Sequence, residues 1–337
     1  MAKVSRRLID VSGMTDIIQR RIPVLTLDSK EPGPTIWLAA CIHGDEPGGT
    51  VIVHEVFKAV REAGLTKGVI HALPLINSMG FENVSRYINP DREDLNRCFP
   101  GDVKGTMGER IARRLFDLIA KTEPDLVVDL HNDWIQSVPY VIVEPPALFR
   151  FKKLRRRTVE LAAATGLLIV QEPKATREVS RTLTGALVAA GIGAFTLEAG
   201  GANGIVEAGI EAGKKAVLGV LAGLGMLPET LARSAPAPSP RGVLGYTSRP
   251  HCTSSGIVRF AVTPGDEVEA DQKVAQVFSA IGTLEETLKA RKPGYVLGIA
   301  DHARALPGTE VIAIAELSSR RSAKKVARAR RTGSGMR

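Results

Sequence analysis

The chain has few cysteines, no long apolar run and no acids near its end, and each absence excludes something. Cys41, Cys98 and Cys252 are too few and too scattered for a disulfide framework or a cysteine-rich zinc site. A reducing cytoplasm is therefore the default compartment. The longest apolar stretch, residues 216–227, is too short to cross a bilayer and reads as a buried helix. The N-terminus, MAKVSRRLIDVSGMTDIIQRR, is positively charged but holds no apolar run of signal-peptide length, so no membrane partner is expected. Residues 320–337 contain eight basic residues and no acid. Since the formal net charge is +9, the rest of the chain is almost neutral. Nucleic acid is thus not expected as a partner of the folded body. The tail reads as a disordered, solubilising segment, with weak, salt-sensitive contact to nucleic acid or an acidic surface as its alternative role.

What is present is ordinary for a globular protein: 44% hydrophobic and 24% charged residues leave ample sequence for a core. A length of 337 residues suits one large domain plus a smaller one. Residues 234–240, SAPAPSP, are too rich in proline for the interior of a helix or sheet and mark the boundary. The expected plan is a domain over 1–233, a linker over 234–241, a β-rich domain over 242–318 and a basic tail over 319–337. A homo-oligomer is left open.

Before the linker, strand-like and helix-like segments alternate. Apolar runs at 36–42, 69–76, 126–130, 141–143, 167–170 and 194–197 read as strands. Helical patterns cover 50–63, 106–121, 149–164, 183–190 and 206–226. The alternation predicts an α/β layer architecture with a largely buried mixed sheet. After the linker, short strand-like runs at 256–260, 267–270, 274–278, 295–299 and 311–314 are separated by turn signals, which predicts a small all-β domain.

Four pieces carry chemistry. In the first, His43 and Glu46 lie three apart in a glycine-rich turn that leaves an apolar strand, and both side chains suit zinc. In the second, Asp129-Leu-His131-Asn132 ends another apolar strand, and ligands gather outside the carboxyl ends of strands in open α/β sheets. Two histidines and one glutamate form a catalytic zinc set that keeps a position for water. In the third, Arg86 of SRY and Arg97 of DLNR offer guanidinium groups to clamp a carboxylate or stabilise an oxyanion. In the fourth, Glu198 stands at the end of a short strand before Ala-Gly-Gly, where a metal hydrolase needs a base.

Taken in order, HGDE (43–46), SRY (85–87), DLNR (94–97), DLHN (129–132) and LEAGG (197–201) resemble the aspartoacylase and succinylglutamate desuccinylase family, relatives of the zinc carboxypeptidases. The likeness covers most of residues 35–225. It implies one zinc per chain on His43, Glu46 and His131, with Glu198 as general base and Arg86 polarising the scissile carbonyl. It also implies that Asn96 and Arg97 bind the amino-acid carboxylate and that Asp129 orients a zinc-bound imidazole. A further substrate arginine falls on Arg181, with Arg177 as the competing choice. The fold implied is a zinc-carboxypeptidase-like mixed sheet flanked by helices. The implied activity is hydrolysis of a small N-acyl amino acid. The alternatives are a metallocarboxypeptidase acting on short peptides and a non-catalytic zinc- or metabolite-binding protein.

The spacing of 85 residues from Glu46 to His131 looks more like the acylase branch than the digestive carboxypeptidases. The C-terminal part, with VTPGDEV (262–268), resembles the hammerhead β-structure of biotinyl and lipoyl carriers and so a barrel-sandwich. Its lysines between 277 and 294, Lys289 and Lys292, lack the methionine context of a carrier, so a role in capping the site is expected instead.

Overall fold

A computed structural model describes residues 4–11, 20–88, 92–239 and 241–317; the basic tail lies outside the described residues. The chain divides into two compact units. The first comprises the residues up to Ile135 together with Pro139–Gly242, and the second Gln136–Val138 together with the residues from Val243 onward.

The first unit runs β1 (Val4–Asp10), β2 (Arg21–Asp28), β3 (Thr35–Ala40), α1 (Gly48–Ala63), β4 (Val69–Leu73) and α2 (Ser78–Glu82). It continues through α3 (Met107–Ala120), β5 (Leu126–His131), β6 (Tyr140–Val143), α4 (Lys152–Ala163), β7 (Leu168–Gln171) and α5 (Arg177–Ser180). It closes with α6 (Leu183–Ala190), β8 (Ala194–Glu198), α7 (Glu207–Gly223) and α8 (Glu229–Ala232). Within this unit the strands lie in the order β1-β2-β4-β3-β5-β8-β6-β7. The central run β4-β3-β5-β8 is parallel, β6 runs antiparallel to β8, and β1 and β2 form an antiparallel edge. The sheet is therefore mixed, as its sequence pattern predicts.

The reason these residues form strands is burial on both faces. All six residues of β5, LVVDLH, are buried, and Trp37 of β3 is fully enclosed, its indole N–H donating to Thr122 Oγ1 at 2.8 Å. Trp37, Ala39 and Val127 share a core with Ile111 and Leu115 of α3 and Leu187 of α6. Helix α3 opens with a capping box between Thr106 and Glu109, worth about 1 kcal/mol, which fixes its start one residue into the predicted span. Ile52, Val53 and Val56 of α1 are buried, and α1 packs on β3, β5 and α7. Pro74 has no N–H to offer a ladder, so β4 ends at Leu73 rather than running on to 76. The edge strand β1, VSRRLID, escapes the sequence pattern because it is charged and largely exposed.

The second unit is antiparallel throughout, with β9 (Val243–Thr247), β10 (Gly256–Phe260), β11 (Glu267–Val268), β12 (Lys273–Phe278) and β13 (Leu284–Lys289). β14 (Gly294–Ile299), β15 (Arg304–Ala305) and β16 (Ile312–Glu316) complete it. Its strands pair in the orders β9-β16-β14-β11 and β13-β12-β10-β15. The β12–β13 hairpin turns through Ser279-Ala-Ile-Gly-Thr283, so no lysine stands at its tip. Among the described residues, no helix is long and apolar enough to cross a membrane.

One of the closest backbone approaches in the first unit lies just beyond β3. A Cβ built on Gly44 would run into the backbone of Gly80 and Phe81, which no rotamer change relieves. Gly44→Ala is expected to cost about 2 kcal/mol or more in urea denaturation. Gly204→Ala, whose Cβ meets nothing within 4 Å, should stay within about 0.5 kcal/mol of the parent.

Candidate metal centre and active site

β3, β5 and β8 are neighbours and parallel, so their carboxyl ends lie along one edge of the sheet. Ala40 stands opposite Leu130, and His131 stands opposite Glu198. After β3 the chain turns sharply at Cys41, which has a left-handed φ of 55°, and brings His43 and Glu46 over that edge. Asn77 ties the neighbouring loops to the turn. Its backbone N–H donates to Cys41 O at 2.9 Å, while its side-chain amide donates to Arg86 O and Tyr87 O at 3.4 and 3.3 Å. Arg86 and His43 are thereby carried by one buried asparagine.

The structure brings His43, Glu46 and His131 together, all three buried, with one candidate ligand atom from each within 4.8 Å of the others. Each imidazole turns its Nδ1 toward the same carboxylate: His43 to Glu46 Oε1 at 2.7 Å and His131 to Glu46 Oε2 at 2.8 Å. Each turns its Nε2 toward an aspartate: His43 to Asp94 Oδ1 at 3.3 Å and His131 to Asp129 Oδ2 at 3.0 Å. As neutral ligands, both rings would keep the proton on Nε2, where the aspartate accepts it, and present the Nδ1 lone pair. Asp129 thus lies within hydrogen-bond distance of the imidazole that the resemblance implies it orients. Asp94 plays the matching part for His43 and was not singled out, although it opens the DLNR motif. Asn132 N–H adds a hydrogen bond to Glu46 Oε2 at 3.2 Å.

Arg86 closes the other side of the cluster. Its Nε donates to Asp94 Oδ2 at 3.1 Å and one terminal nitrogen lies 3.4 Å from Glu46 Oε1. Burial works against ionised Glu46, but the charges and hydrogen bonds of His43 and His131 outweigh it and hold its carboxyl well below the usual range. Asp94 is likewise held low: burial opposes ionisation, and His43, Arg86 and Arg97 prevail. For His131 burial disfavours the charged ring, yet Asp129 and Glu46 raise its pKa well above the ordinary histidine value.

These residues open onto a cavity of about 230 Å³. Glu198 lines it from the end of β8, and its Oε2 has no hydrogen-bond partner. Burial pushes the Glu198 pKa well above the carboxylate range; His131 opposes this, while Asp133, Glu46 and Asp129 add to it. Asn96 and Arg97 also line the cavity. Asn96 Oδ1 accepts from the Leu183 N–H at 2.8 Å, which fixes the amide beside His131.

Arg181 goes elsewhere. Its Nε donates to Arg97 O at 2.7 Å and its guanidinium pairs with Glu109 at 2.8 Å, so it braces the Arg97 loop and is not among the lining residues. Arg177 is exposed at the start of α5 and does not line the cavity either. Two other lining residues were not anticipated. Glu144 directly follows β6 and Glu172 directly follows β7. Both carry the signal that marked Glu198, an acid at the end of an apolar strand. Glu144 is buried, with Thr184 Oγ1 donating to its Oε1 at 2.6 Å, and its Oε2 has no partner. Burial pushes its pKa up to about 7, with the charge of Glu172 adding to the shift. Cys41 offers no nucleophile: burial pushes its thiol up to about 12.

The sheet and its His-Glu-His donor set define a mixed α/β fold of the metallo-carboxypeptidase kind. The chain belongs to the succinylglutamate desuccinylase/aspartoacylase family, whose catalytic-domain description matches residues 32–224. An aspartoacylase family protein from Mesorhizobium loti superposes with a TM-score of 0.78 at 23% identity, over 94% of this chain and 96% of that one. The product-bound ectoine utilization protein EutE (DoeB) of Ruegeria pomeroyi superposes at 0.75 and 22% identity, over 93% and 95%. A metallo-carboxypeptidase from Burkholderia cenocepacia reaches 0.53 at 16% identity, over 64% and 63%. At these identities the likeness bears on the fold. The N-alpha-acetyl-L-2,4-diaminobutyric acid deacetylase of Halomonas elongata is 32% identical over 111 residues, covering 33% of this chain and 32% of that protein. The match thus spans about a third of that relative's length.

Two outcomes follow from the geometry. Saturating zinc should raise the melting temperature of the metal-free protein by several degrees, and Asp129→Asn should weaken zinc binding about 10–100-fold by calorimetry. The second concerns Glu144. Its folded pKa lies above its ordinary value, so its contribution is intact below about pH 4.5 and is lost as the pH rises through about 7. Glu144→Gln should therefore gain on the order of 1–3 kcal/mol over the parent at pH 8 and little at pH 4.5, in urea denaturation of the metal-free proteins.

Proposed function

We propose that the chain is a zinc-dependent deacylase that hydrolyses a small N-acyl amino acid to a carboxylate and the free amino acid. The observation that carries this reading is the convergence, in one cavity, of the His43-Glu46-His131 donor set, the unpartnered Glu198 carboxylate oxygen and the Arg97 guanidinium. The donors fit zinc: two imidazoles and one carboxylate, each imidazole backed by an aspartate. Bound there, zinc supplies a Lewis acid for the acyl carbonyl and acidifies water.

The protein's residues do the rest. Glu198 accepts a proton from the attacking water and delivers it to the leaving amine, so one carboxyl group serves as base and then as acid. Burial raises its pKa in the metal-free protein, and a carboxyl group less acidic than usual returns a proton more readily. Arg86, held by Asp94, directs its guanidinium at the oxyanion that develops on the acyl carbonyl oxygen. Asn96 and Arg97 bind the α-carboxylate, Asn96 held in place by Leu183 and Arg97 braced by Arg181. A cavity of about 230 Å³ suits an acylated amino acid. The family's name and the deacetylase activity of the Halomonas elongata relative support the reaction class.

Hydrolysis of N-acetyl and N-succinyl amino acids and short peptides by the zinc-loaded protein, read by mass spectrometry, tests the reading. Chelator-sensitive release of a free amino acid supports it, and cleavage of peptides alone replaces it with a peptidase. Glu198→Gln is expected to lower kcat by about 100- to 10,000-fold with zinc content unchanged. Full activity in that variant would remove Glu198 from its role.

A further inference from the structure

A second cavity, of about 260 Å³, lies in the first unit between α1 and the β1–β2 edge. Val4 and Arg6 of β1 and Leu25 of β2 line one side. Arg6 stands opposite Leu25, and Val4 is two residues from Arg6 along the strand, so all three share one face of the β1–β2 ribbon. His54, Phe57, Lys58 and Arg61 of α1 line the other side. Their spacing, i, i+3, i+4 and i+7, sets them in one stripe along the helix. None of these residues lines the metal-centre cavity.

The charge in this lining has one sign. Among the described residues, no aspartate or glutamate lines the cavity, and Arg6, Lys58 and Arg61 form no ion pair. Acids are within reach on the helix and are not taken. Glu55 and Glu62 lie at i−3 and i+4 from Lys58, a spacing at which helical ion pairs form, yet Lys58 pairs with neither. Arg113 and Arg233, by contrast, each take the acid at i+4 on their own stretch of chain. Lys58 and Arg61 instead share one space with Arg6, where like charges repel and an anion between them removes the repulsion. Apolar side chains back these cations: Phe57 is 5% exposed, and Val4 and Leu25 are half-buried. Cations that serve only to solvate a surface need no such wall behind them.

We infer that this cavity binds a small organic anion, with a dianionic head (phosphate or dicarboxylate) held by Arg6, Lys58 and Arg61 and a short apolar body against Val4, Leu25 and Phe57. Three cations on two separate elements suit a head with two charges better than a lone carboxylate, because the guanidinium groups offer forked donors to paired oxygens. His54 adds an imidazole at the same rim. The volume falls below the range of about 300–1,000 Å³ usual for drug-sized ligands, which fits a small metabolite rather than a peptide segment. The site shares no residue with the metal centre, so it stands independently of the deacylase reading.

The test is calorimetric titration of the zinc-loaded protein with phenyl phosphate and with phenylsuccinate, against inorganic phosphate and benzyl alcohol, which supply the head or the body alone. One of the two aryl dianions should bind at a single site about tenfold or more tighter than either control, and the tighter of the two names the head group. The double variant Lys58→Ala/Arg61→Ala should weaken that binding about tenfold or more with its melting temperature unchanged, since both side chains are exposed. Arg97→Ala should leave the affinity as it is in the parent. Undiminished binding in the double variant, or a loss confined to Arg97→Ala, would place the anion at the metal centre and overturn the inference. Inorganic phosphate binding as tightly as phenyl phosphate and phenylsuccinate would overturn it by removing the apolar wall from recognition. Absence of saturable binding by either aryl dianion would overturn it outright.

Discussion

The site depends on one constraint, which is how to hold buried Glu46, Asp129, His43 and His131, with half-buried Asp94 and Arg86 beside them, within a few ångströms of one another at a sheet edge. An isolated ion in such a place costs several kcal/mol, so each group must be partnered by another. The arrangement meets that demand as a closed circuit. Glu46 joins the two imidazoles, each imidazole leans on its own aspartate, and Arg86 links Asp94 to Glu46. Removing any member leaves a buried charge exposed to its neighbours without compensation, which is more damaging than the loss of one hydrogen bond. The circuit is also short of positive charge, with three acidic side chains set against one guanidinium and two imidazoles that must be neutral to ligate. A divalent cation on His43, Glu46 and His131 would supply that charge.

The sheet makes the circuit possible by its order rather than by any single motif. Because β3, β5 and β8 are adjacent and parallel, residues far apart in sequence reach the edge at the same level, as the pairing of His131 with Glu198 shows. Apolar burial on both faces keeps those strands in register. α3 and α6 pack against Trp37, Ala39 and Val127, while α1 closes on Leu130, near enough that a Cβ on Gly49 would lie 2.8 Å from its carbonyl oxygen. A slip of one residue in β5 would turn His131 away from the site and Leu130 into it. Hydrophobic packing therefore fixes the geometry on which the polar chemistry relies.

Much of this was legible in the sequence, for physical reasons that can be named. Strands buried on both faces are continuous apolar runs, so β3, β5 and β8 stood out, and a titratable residue at the end of such a run points at a strand-end site. His43, Glu46, His131 and Glu198 were found on that basis and from their order in the chain, and the structure places them together. The edge strands β1 and β13 were not legible, because exposed strands carry charge and lose the apolar signal. Arg181 shows a different limit. A guanidinium's reach is long enough that sequence position does not decide which carboxylate it meets, and Glu109, set in place by the α3 capping box, takes it. Asp94 and Glu144 were readable in principle but not in practice, since an acid's role appears only when its neighbours across the fold are known.

The two halves of the cavity come from different parts of the sheet, and they differ in how far their residues depend on one another. The chemical half stands on the parallel strands β3, β5 and β8, where the members of the metal circuit support one another and their substitution is costly. The other half stands on β6 and β7 and on the N-terminal turn of α6, where Glu144 is held by the Thr182 and Thr184 hydroxyls and by no member of the metal circuit. Replacing Glu144 or Glu172 alters the charge of that part of the lining without removing a partner from His43, His131 or Glu46. The sheet thus keeps the two halves separable: the strand ends carry the donor set, and the face beside it can vary in charge without disturbing that set.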